Sequence, residues 1–384
     1  MDVAKIILHA LGATMGGAMR HITNFFPLLA LEDKKNHYLV LLRNVVSSIS
    51  TSENIELKKI PDSVYGSFFN RMAFDLITLP SIVKKEHTDI LVSLTNFGPI
   101  YVSCPHIIFQ RNPVYYSHYY LTQIGKMKLL EVMIRRFYTY LIMKNARIVV
   151  TPSVSMANMI QNKYPQLNKN KFKVIYHGFN QDQRTHETYG WQKYIAKEKI
   201  KILYTSHPGL HKGYNILFDI IVELKKLCND FVAYLTVSRA MDSPKVVAGY
   251  ETRVKELGIA DNVTFLGQIP QNQMRPLYEM CDLLIYPSLA ESFGFSMIEA
   301  LGYNLPIVAS DTPVNREICG NGAAYYPSTD ARQGALTIFN ALKPEALDRL
   351  RILGKKRFAS FDWGWERYAR EFVAMINDVL QKST

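Results

Sequence analysis

Cysteine is scarce in this chain of 384 residues: Cys104, Cys228, Cys281 and Cys319 lie far apart, with no CxxC pair and no histidine at metal-site spacing. A disulfide framework and a zinc site are therefore not indicated, and the pattern suits a reducing cytosol. Long apolar runs are missing too, since nothing approaches the ~18 uncharged residues of a membrane span. The run Ile6 to Leu11, preceded by Asp2 and Lys5, is too short and wrongly flanked for a secretory signal. There is no low-complexity tract, no Asp-x-Asp pair to chelate a metal-bound nucleotide diphosphate, and no GxGxxG fingerprint. Gly16-Gly17 would let backbone approach a ligand closely. The acidic pair Glu32-Asp33, however, falls before the second strand rather than at its end, where a ribose-binding acid belongs, so a nicotinamide enzyme is disfavoured.

Acid is short in the first half alone. Residues 1–185 carry 22 Lys+Arg against 11 Asp+Glu, and residues 186–384 carry 23 against 22, so almost the whole net charge of +12 sits in the first half. An anionic partner would bind there, and composition leaves nucleic acid, anionic lipid and a phosphorylated acceptor all open.

What is present is a globular composition, 48% hydrophobic and 20% charged, in a chain too long for one core. Short apolar runs alternate with helical patterns: Ile6 to Leu11, Tyr38 to Arg43, Ile90 to Leu94, His106 to Phe109 and Arg147 to Thr151. A second series follows with Lys201 to Thr205, Val232 to Val237, Val263 to Leu266, Leu283 to Tyr286 and Ile307 to Ala309. This rhythm predicts two α/β domains with doubly wound sheets, residues 1–180 and 200–362, separated by the polar stretch His177 to Lys199. Trp363 to Leu380 has apolar residues at helical spacing and reads as a closing helix that packs back towards the first domain.

The sharpest local signal is Glu291-Ser-Phe-Gly-Phe-Ser-Met-Ile-Glu299, entered from the strand Leu283 to Tyr286. A tight turn at Phe293-Gly294-Phe295 followed by a helix start presents unpaired N–H groups and a positive dipole end, which suits a diphosphate. Glu291 precedes the turn and Glu299 lies about one helical turn in, so both can reach one crevice. Spacing alone leaves a solvated helix end as the other reading.

Around that segment, Phe265-Leu-Gly267-Gln-Ile-Pro, Leu277-Tyr278, Cys281-Asp282, Pro287-Ser288, Glu299-Ala300, Gly302 and Pro306-Ile-Val-Ala-Ser resemble the signature of the family 4 retaining glycosyltransferases. Gly16-Gly17-Ala-Met-Arg-His21 resembles the family's glycine-rich first loop, Val174-Ile-Tyr-His-Gly178 its hinge, and Lys212-Gly213 its phosphate lysine. The resemblance implies a GT-B fold, two facing Rossmann-like domains with an interdomain cleft, the nucleotide-sugar donor on the C-terminal domain and the acceptor on the N-terminal one. It implies a hexosyltransferase that uses a UDP- or GDP-sugar with retention at the anomeric carbon and needs no metal or other cofactor. Position by position, Glu299 would bind the ribose hydroxyls and Glu291 the donor sugar. Phe293, Gly294, Phe295 and Gly267 would line the donor, and Lys212 would neutralise the leaving diphosphate.

Two departures stand out. Where the family carries an Arg before that Lys, this chain has Ser206 and His207 in Tyr204-Thr-Ser-His-Pro-Gly-Leu-His211-Lys212. His207 or His211 could replace it, charged only part of the time near neutral pH, or both could be plain loop histidines. The family's N-terminal-domain histidine is also absent after His106 to Phe109, leaving Arg111 and His118 as the candidates, with a tyrosine-rich acceptor wall as the alternative.

Lys126 to Arg147 and Phe68 to Lys85 mix basic with apolar and aromatic residues, as helices lying in a lipid headgroup layer do, although a solvated helix packed on the sheet gives the same composition. The expectation is a cytoplasmic transferase at the inner face of a membrane, building a surface polysaccharide or glycolipid on a saccharide or lipid-linked acceptor. A nucleotide-sugar epimerase of similar architecture is the alternative. Nucleic-acid binding is disfavoured because the basic residues form no recognition motif.

Overall fold

The structure, a computed structural model, describes residues 3–12, 16–43, 52–65, 67–181, 187–237, 239 and 244–382, and of residues 16–20 the backbone only. Its contacts divide the chain into two compact units, one of residues 1–116, 124–178 and 363–384, the other of 117–123 and 179–362.

The first unit is built on a seven-stranded parallel sheet. Its elements run β1 (Lys5–His9), α1 (Gly16–Glu32), β2 (His37–Leu42), β3 (Ile55–Lys59), α2 (Phe68–Ala73), a π-helical turn Phe74–Thr78, α3 (Leu79–Lys85), β4 (Ile90–Ser93), β5 (His106–Phe109), α4 (His118–Gln123), α5 (Lys126–Asn145), β6 (Ile148–Thr151), α6 (Val154–Lys163) and β7 (Phe172–Val174). The strand order β3-β2-β1-β4-β5-β6-β7 reverses direction between β1 and β4. Central strands such as Ile90–Ser93 are buried on both faces, hence their unbroken apolar runs. β3 reads Ile-Glu-Leu-Lys-Lys at the sheet edge and β7 is only three residues long. Neither carries an apolar run, which is why the rhythm of the sequence did not reveal them.

The second unit repeats the plan with six strands: β8 (Ile200–Tyr204), α7 (Tyr214–Leu227), β9 (Phe231–Leu235), α8 (Pro244–Glu256), β10 (Val263–Phe265), α9 (Met274–Met280), β11 (Leu283–Tyr286), α10 (Phe295–Gly302), β12 (Ile307–Ser310), α11 (Pro313–Cys319), β13 (Ala323–Tyr326), α12 (Ala331–Ala341) and α13 (Pro344–Ala359). The order β10-β9-β8-β11-β12-β13 has its reversal between β8 and β11. β13, Ala-Ala-Tyr-Tyr, closes the edge and was not expected from its composition.

The last helix, α14 (Trp365–Gln381), belongs to the first unit. Its stripe of Tyr368, Phe372, Met375, Ile376 and Val379 is buried, and Phe372 meets Phe25 of α1 at 4.8 Å between ring centroids. The polar stretch expected to be a linker is not one throughout. The units part at Gly178, and a 3-10 turn at Gly190–Tyr194 buries Trp191, whose indole donates to Gln273 of the second unit at 3.0 Å. Residues 182–186 of that stretch lie outside the described residues. α4, read from sequence as part of the first domain, clusters with the second unit, where Tyr120 sets its ring edge against His211 at 6.0 Å.

Candidate functional site

In open parallel sheets the loops leaving the carboxyl ends of the two strands at the order reversal diverge and leave a crevice. In the second unit those strands are β8 and β11. β8 ends at Tyr204, and its loop turns through a 3-10 segment, Leu210–Lys212, into α7 by way of Gly213 at φ 72°. A Cβ at Gly213 would stand 2.1 Å from the Pro287 carbonyl, so only glycine lets the loop press this closely on the end of β11. Tyr204 donates to the Lys212 carbonyl at 2.6 Å, and the Leu289 N–H donates to the His211 carbonyl at 2.8 Å. The two strand ends are thus laced together.

That lacing places Lys212 Nζ 2.6 Å from Glu291 Oε1, with side chains 12% and 9% exposed. The Ser288 hydroxyl donates to the same oxygen at 2.6 Å. Burial by itself would raise the Glu291 carboxyl, but the Lys212 charge and these hydrogen bonds outweigh it and hold the group down to about 2. Glu291 is therefore a carboxylate at neutral pH, able to accept hydrogen bonds and unable to serve as an acid.

From Glu291 the chain turns at Gly294, φ 95°, into α10. A side chain at Gly294 would strike Met297 at 2.4 Å. Phe293, buried, and Phe295 flank the turn with ring centroids 5.4 Å apart. Glu299, 4% exposed, accepts from Tyr278 at 2.7 Å and from Gln271 at 3.1 Å. The Tyr278 hydroxyl also lies 3.1 Å from the hydroxyl of Thr205, the residue that follows β8, and Ser296 of α10 donates to the Thr205 carbonyl at 3.0 Å. Lys212 and Glu291 therefore belong to one hydrogen-bonded group and Glu299 to another, both set around the ends of β8 and β11 and the start of α10.

Gly267, in the left-handed region at φ 80°, turns the chain after β10 towards the loop that supplies Gln271. Ser206 uses its carbonyl to accept from Tyr214 at 2.9 Å, and its hydroxyl donates to the His207 carbonyl. His207 and His211 have ring centroids 6.1 Å apart. Burial foremost, then the Lys212 charge, lowers His211 to about 3, so it is neutral at physiological pH and does not replace the missing cation. Gly16 and Gly17 form the first two residues of α1 rather than a loop, and residues 13–15 before them lie outside the described residues.

Arg111 and His118 fall in different units. Arg111 follows β5 and reaches His21 at 3.0 Å, whereas His118 is the first residue of α4. Gln271, Tyr278, Thr205 and Ser288 were not singled out as site residues from sequence. Tyr278 and Ser288 stood inside the motif, while Gln271 and Thr205 acquire their partners only through the fold.

Residues 186–355 match the family model described as "Glycosyl transferases group 1". The chain is 23% identical to an O-antigen chain mannosyltransferase of Salmonella typhimurium over 83% of its own length and 80% of that protein's. Among solved structures it is similar to a sucrose-phosphate synthase from Thermosynechococcus elongatus, with TM-score 0.74 and 17% identity over 99% of this chain and 100% of that one. Anabaena HepE in complex with UDP-glucose is similar with TM-score 0.71 and 17% identity, over 97% and 99%. These likenesses give both units the α/β architecture of GT-B glycosyltransferases.

Proposed function

The chain belongs to the group 1 glycosyl transferases, and from that premise we propose that it moves a hexose from a UDP- or GDP-linked donor, with retention, to a saccharide or lipid-linked acceptor in surface polysaccharide or glycolipid synthesis. The observation that carries the donor assignment is the buried Lys212–Glu291 pair at the strand reversal of the second unit, beside the start of α10.

Cleaving the bond between sugar and diphosphate leaves positive charge on the anomeric centre and adds negative charge to the departing phosphate. A cation and helix-end N–H groups already in place lower that barrier without reorganisation. Lys212 supplies the cation. Glu291 balances its charge while the site is empty, since an unpartnered buried ammonium would be costly. When the donor enters, the diphosphate takes over Lys212 and the carboxylate accepts hydrogen bonds from the sugar hydroxyls. Glu299, held by Tyr278 and Gln271, takes the ribose. Gly267, Ser206, His207 and the Phe293-Gly294-Phe295 turn line the donor. No metal is required by this scheme. Arg111 of the first unit or His118, which clusters with the second, stands in for the family's catalytic histidine.

For localisation, no helix among the described residues is long and apolar enough to cross a membrane. We assign peripheral contact with an anionic cytoplasmic leaflet to α5. That helix exposes Met127, Leu130, Met133, Ile134 and Phe137, flanked by Lys126 and Lys128. Arg135 of α5 sits over Phe68 of α2 at 4.3 Å, next to the exposed Phe69. Such a stripe of apolar side chains edged by lysine suits a headgroup layer.

The deciding experiment is a thermal-shift screen of UDP, GDP and their sugars, followed by product analysis with the stabilising donor. A donor that stabilises the protein and yields an α-linked product from an α-linked donor supports the reading. No stabilisation by any nucleotide diphosphate overturns it.

A further inference from the structure

Two donors meet on a single oxygen of the Glu291 carboxylate. Lys212 Nζ and the Ser288 hydroxyl each reach Oε1 at 2.6 Å, and neither uses Oε2. Ser288 stands two residues beyond β11 and is fully buried, with a second acceptor in range, the His211 carbonyl at 3.2 Å. A hydroxyl has one proton to give. The shorter, charge-assisted bond to the carboxylate takes it, and the His211 carbonyl keeps its own donor in the Leu289 N–H at 2.8 Å.

Ser288 is itself anchored from the far side. Its carbonyl accepts from the hydroxyl of Ser310, the last residue of β12, at 2.6 Å. The Asn315 amide, on α11, donates to the Ser310 hydroxyl oxygen at 2.9 Å and to the Ser310 carbonyl at 2.8 Å. Ser310 and Asn315 are fully buried as well. A file of three polar residues, Asn315, Ser310 and Ser288, therefore runs through the core of the second unit and ends on Glu291. Hydrogen bonds are electrostatically stronger in such an interior than in water, so the Ser288 backbone is a firm support for its hydroxyl.

The two partners on Oε1 fare differently when a donor enters. Lys212 is drawn to the diphosphate, and a carboxylate that followed it would set its negative charge against the phosphates. Ser288 carries no charge and has no reason to follow. It shares Oε1 with Lys212 in the empty site, so it inherits that oxygen when the lysine leaves and keeps Oε2 turned to the sugar. The other titratable groups facing the carboxylate are His211, Tyr204 and Tyr286, the last of which also bonds it, and burial foremost keeps all three neutral. None of them replaces the Lys212 charge.

We propose that Ser288 is a positioning residue, whose hydroxyl holds the Glu291 carboxylate towards the donor sugar once Lys212 has turned to the diphosphate. The proposal rests on the transferase reading for the identity of the ligand. The hold of Ser288 on Glu291 does not depend on it.

The test compares the wild type with Ser288→Ala, using the UDP- or GDP-sugar that stabilises the wild type and the matching free nucleoside diphosphate. Ser288→Ala should bind the free diphosphate as the wild type does, since Lys212 is intact. Its affinity for the sugar nucleotide should fall about tenfold or more, and kcat should fall with it. In a Glu291→Ala background the same substitution should change neither quantity, because residues that act as one unit are not additive. Ser310→Ala, which frees the Ser288 carbonyl, should move the readouts in the same direction as Ser288→Ala.

A second measurement needs no ligand. The melting-temperature gap between Glu291→Gln and its parent is followed against pH, with and without Ser288→Ala. Loss of the hydroxyl leaves the carboxyl less depressed, so the gap should close at a higher pH than in the presence of Ser288. A merely structural hydroxyl would lower both melting curves alike and leave that pH where it was.

Equal loss of affinity for the free diphosphate and the sugar nucleotide overturns the proposal, as does a full effect of Ser288→Ala in the Glu291→Ala background. Wild-type behaviour of Ser288→Ala, or a Ser288→Ala chain that does not fold, overturns it too. A wild type that no sugar nucleotide stabilises removes the transferase reading and the sugar-facing role together, whereas an unmoved pH for the closing of the gap counts against the hold of Ser288 on Glu291 alone.

Discussion

Lys212 Nζ and Glu291 Oε1 are 2.6 Å apart across the strand reversal of the second sheet, although 79 residues separate them in the chain. Each arises just beyond a neighbouring parallel strand, Lys212 after β8 and Glu291 after β11, so the topology rather than any local motif creates the pair. The pair is nearly closed to water, and its energetics are accordingly stiff. Removing one member leaves the other charge buried and alone, which typically costs about 3–5 kcal/mol.

The first consequence is that Lys212→Ala and Glu291→Gln differ in kind. If Lys212 faces the leaving diphosphate as proposed, Lys212→Ala removes that cation, and kcat should fall by roughly 10²-fold or more, as when a preorganised charge-stabilising donor is deleted. It also isolates a buried carboxylate, so the melting temperature should drop. Glu291→Gln keeps a hydrogen-bonding oxygen and leaves Lys212 free for phosphate. UDP should then bind at least as tightly as in the wild type while sugar transfer falls. Steady-state kinetics and nucleotide titration separate the two outcomes, and unchanged turnover in Lys212→Ala would remove the diphosphate role.

A pH dependence follows from the same geometry. The Glu291 carboxyl is held at about 2 in the folded chain, against about 4.3 when unfolded. A depressed carboxyl contributes stability in full above its unfolded value and loses it as pH falls towards the folded value. The contribution is of order 3 kcal/mol. The melting-temperature gap between wild type and Glu291→Gln should therefore be constant above about pH 5 and narrow between about pH 4 and 2. A gap that stays constant down to pH 3 would mean that the carboxylate is not held by Lys212.

Glu299 offers a third measurement, because its two hydrogen-bond partners come from different elements. Tyr278 is on α9, and Gln271 lies on the loop after β10. Glu299→Ala should weaken UDP binding by about tenfold or more, the usual worth of hydrogen bonds to a charged group. Tyr278→Phe should weaken it less, since it leaves the carboxylate in place but only half held. Equal affinity of all three proteins for UDP, measured by calorimetry, would take the ribose away from Glu299.

How far this site could be read from sequence depended on which residues carried their own local signal. Glu291, Gly294 and Glu299 stood in one short segment whose turn and helix start are written in its residues, and the second unit places them as that segment suggests. Lys212 was legible because it follows the first apolar strand of a restarted rhythm. Gln271 and Thr205 were not, since their partners lie 28 and 73 residues away and only strand order brings them together. His211 had two readings in sequence, a part-time cation or a plain loop histidine, and the structure favours the second. Its residue type suggested a cation, but burial and the neighbouring Lys212 deny it the proton, and burial cannot be seen in a loop sequence. In the fold, the edge strands β3, β7 and β13 were missed for a related reason: strands that are short or polar lack the apolar run that marks central strands.

The exposed face of α5 gives the last prediction. Phe137 is 61% exposed and Met127 81%, on a helix whose opposite face buries Val132, Tyr138, Thr139 and Ile142. A face that merely tolerates apolar residues would be indifferent to charge, whereas a face seated in headgroups would not. Leu130→Glu with Phe137→Glu should leave the fold and UDP binding intact, since both side chains point to solvent. Co-flotation with vesicles containing anionic lipid should be lost in this variant and retained in the wild type. Raising the salt should weaken the wild-type interaction, because its electrostatic part is screened over about 8–10 Å at physiological ionic strength. Lys126→Glu with Lys128→Glu should remove that salt sensitivity together with most of the binding. Equal flotation of all three proteins, or none by the wild type, would place the acceptor encounter away from this helix.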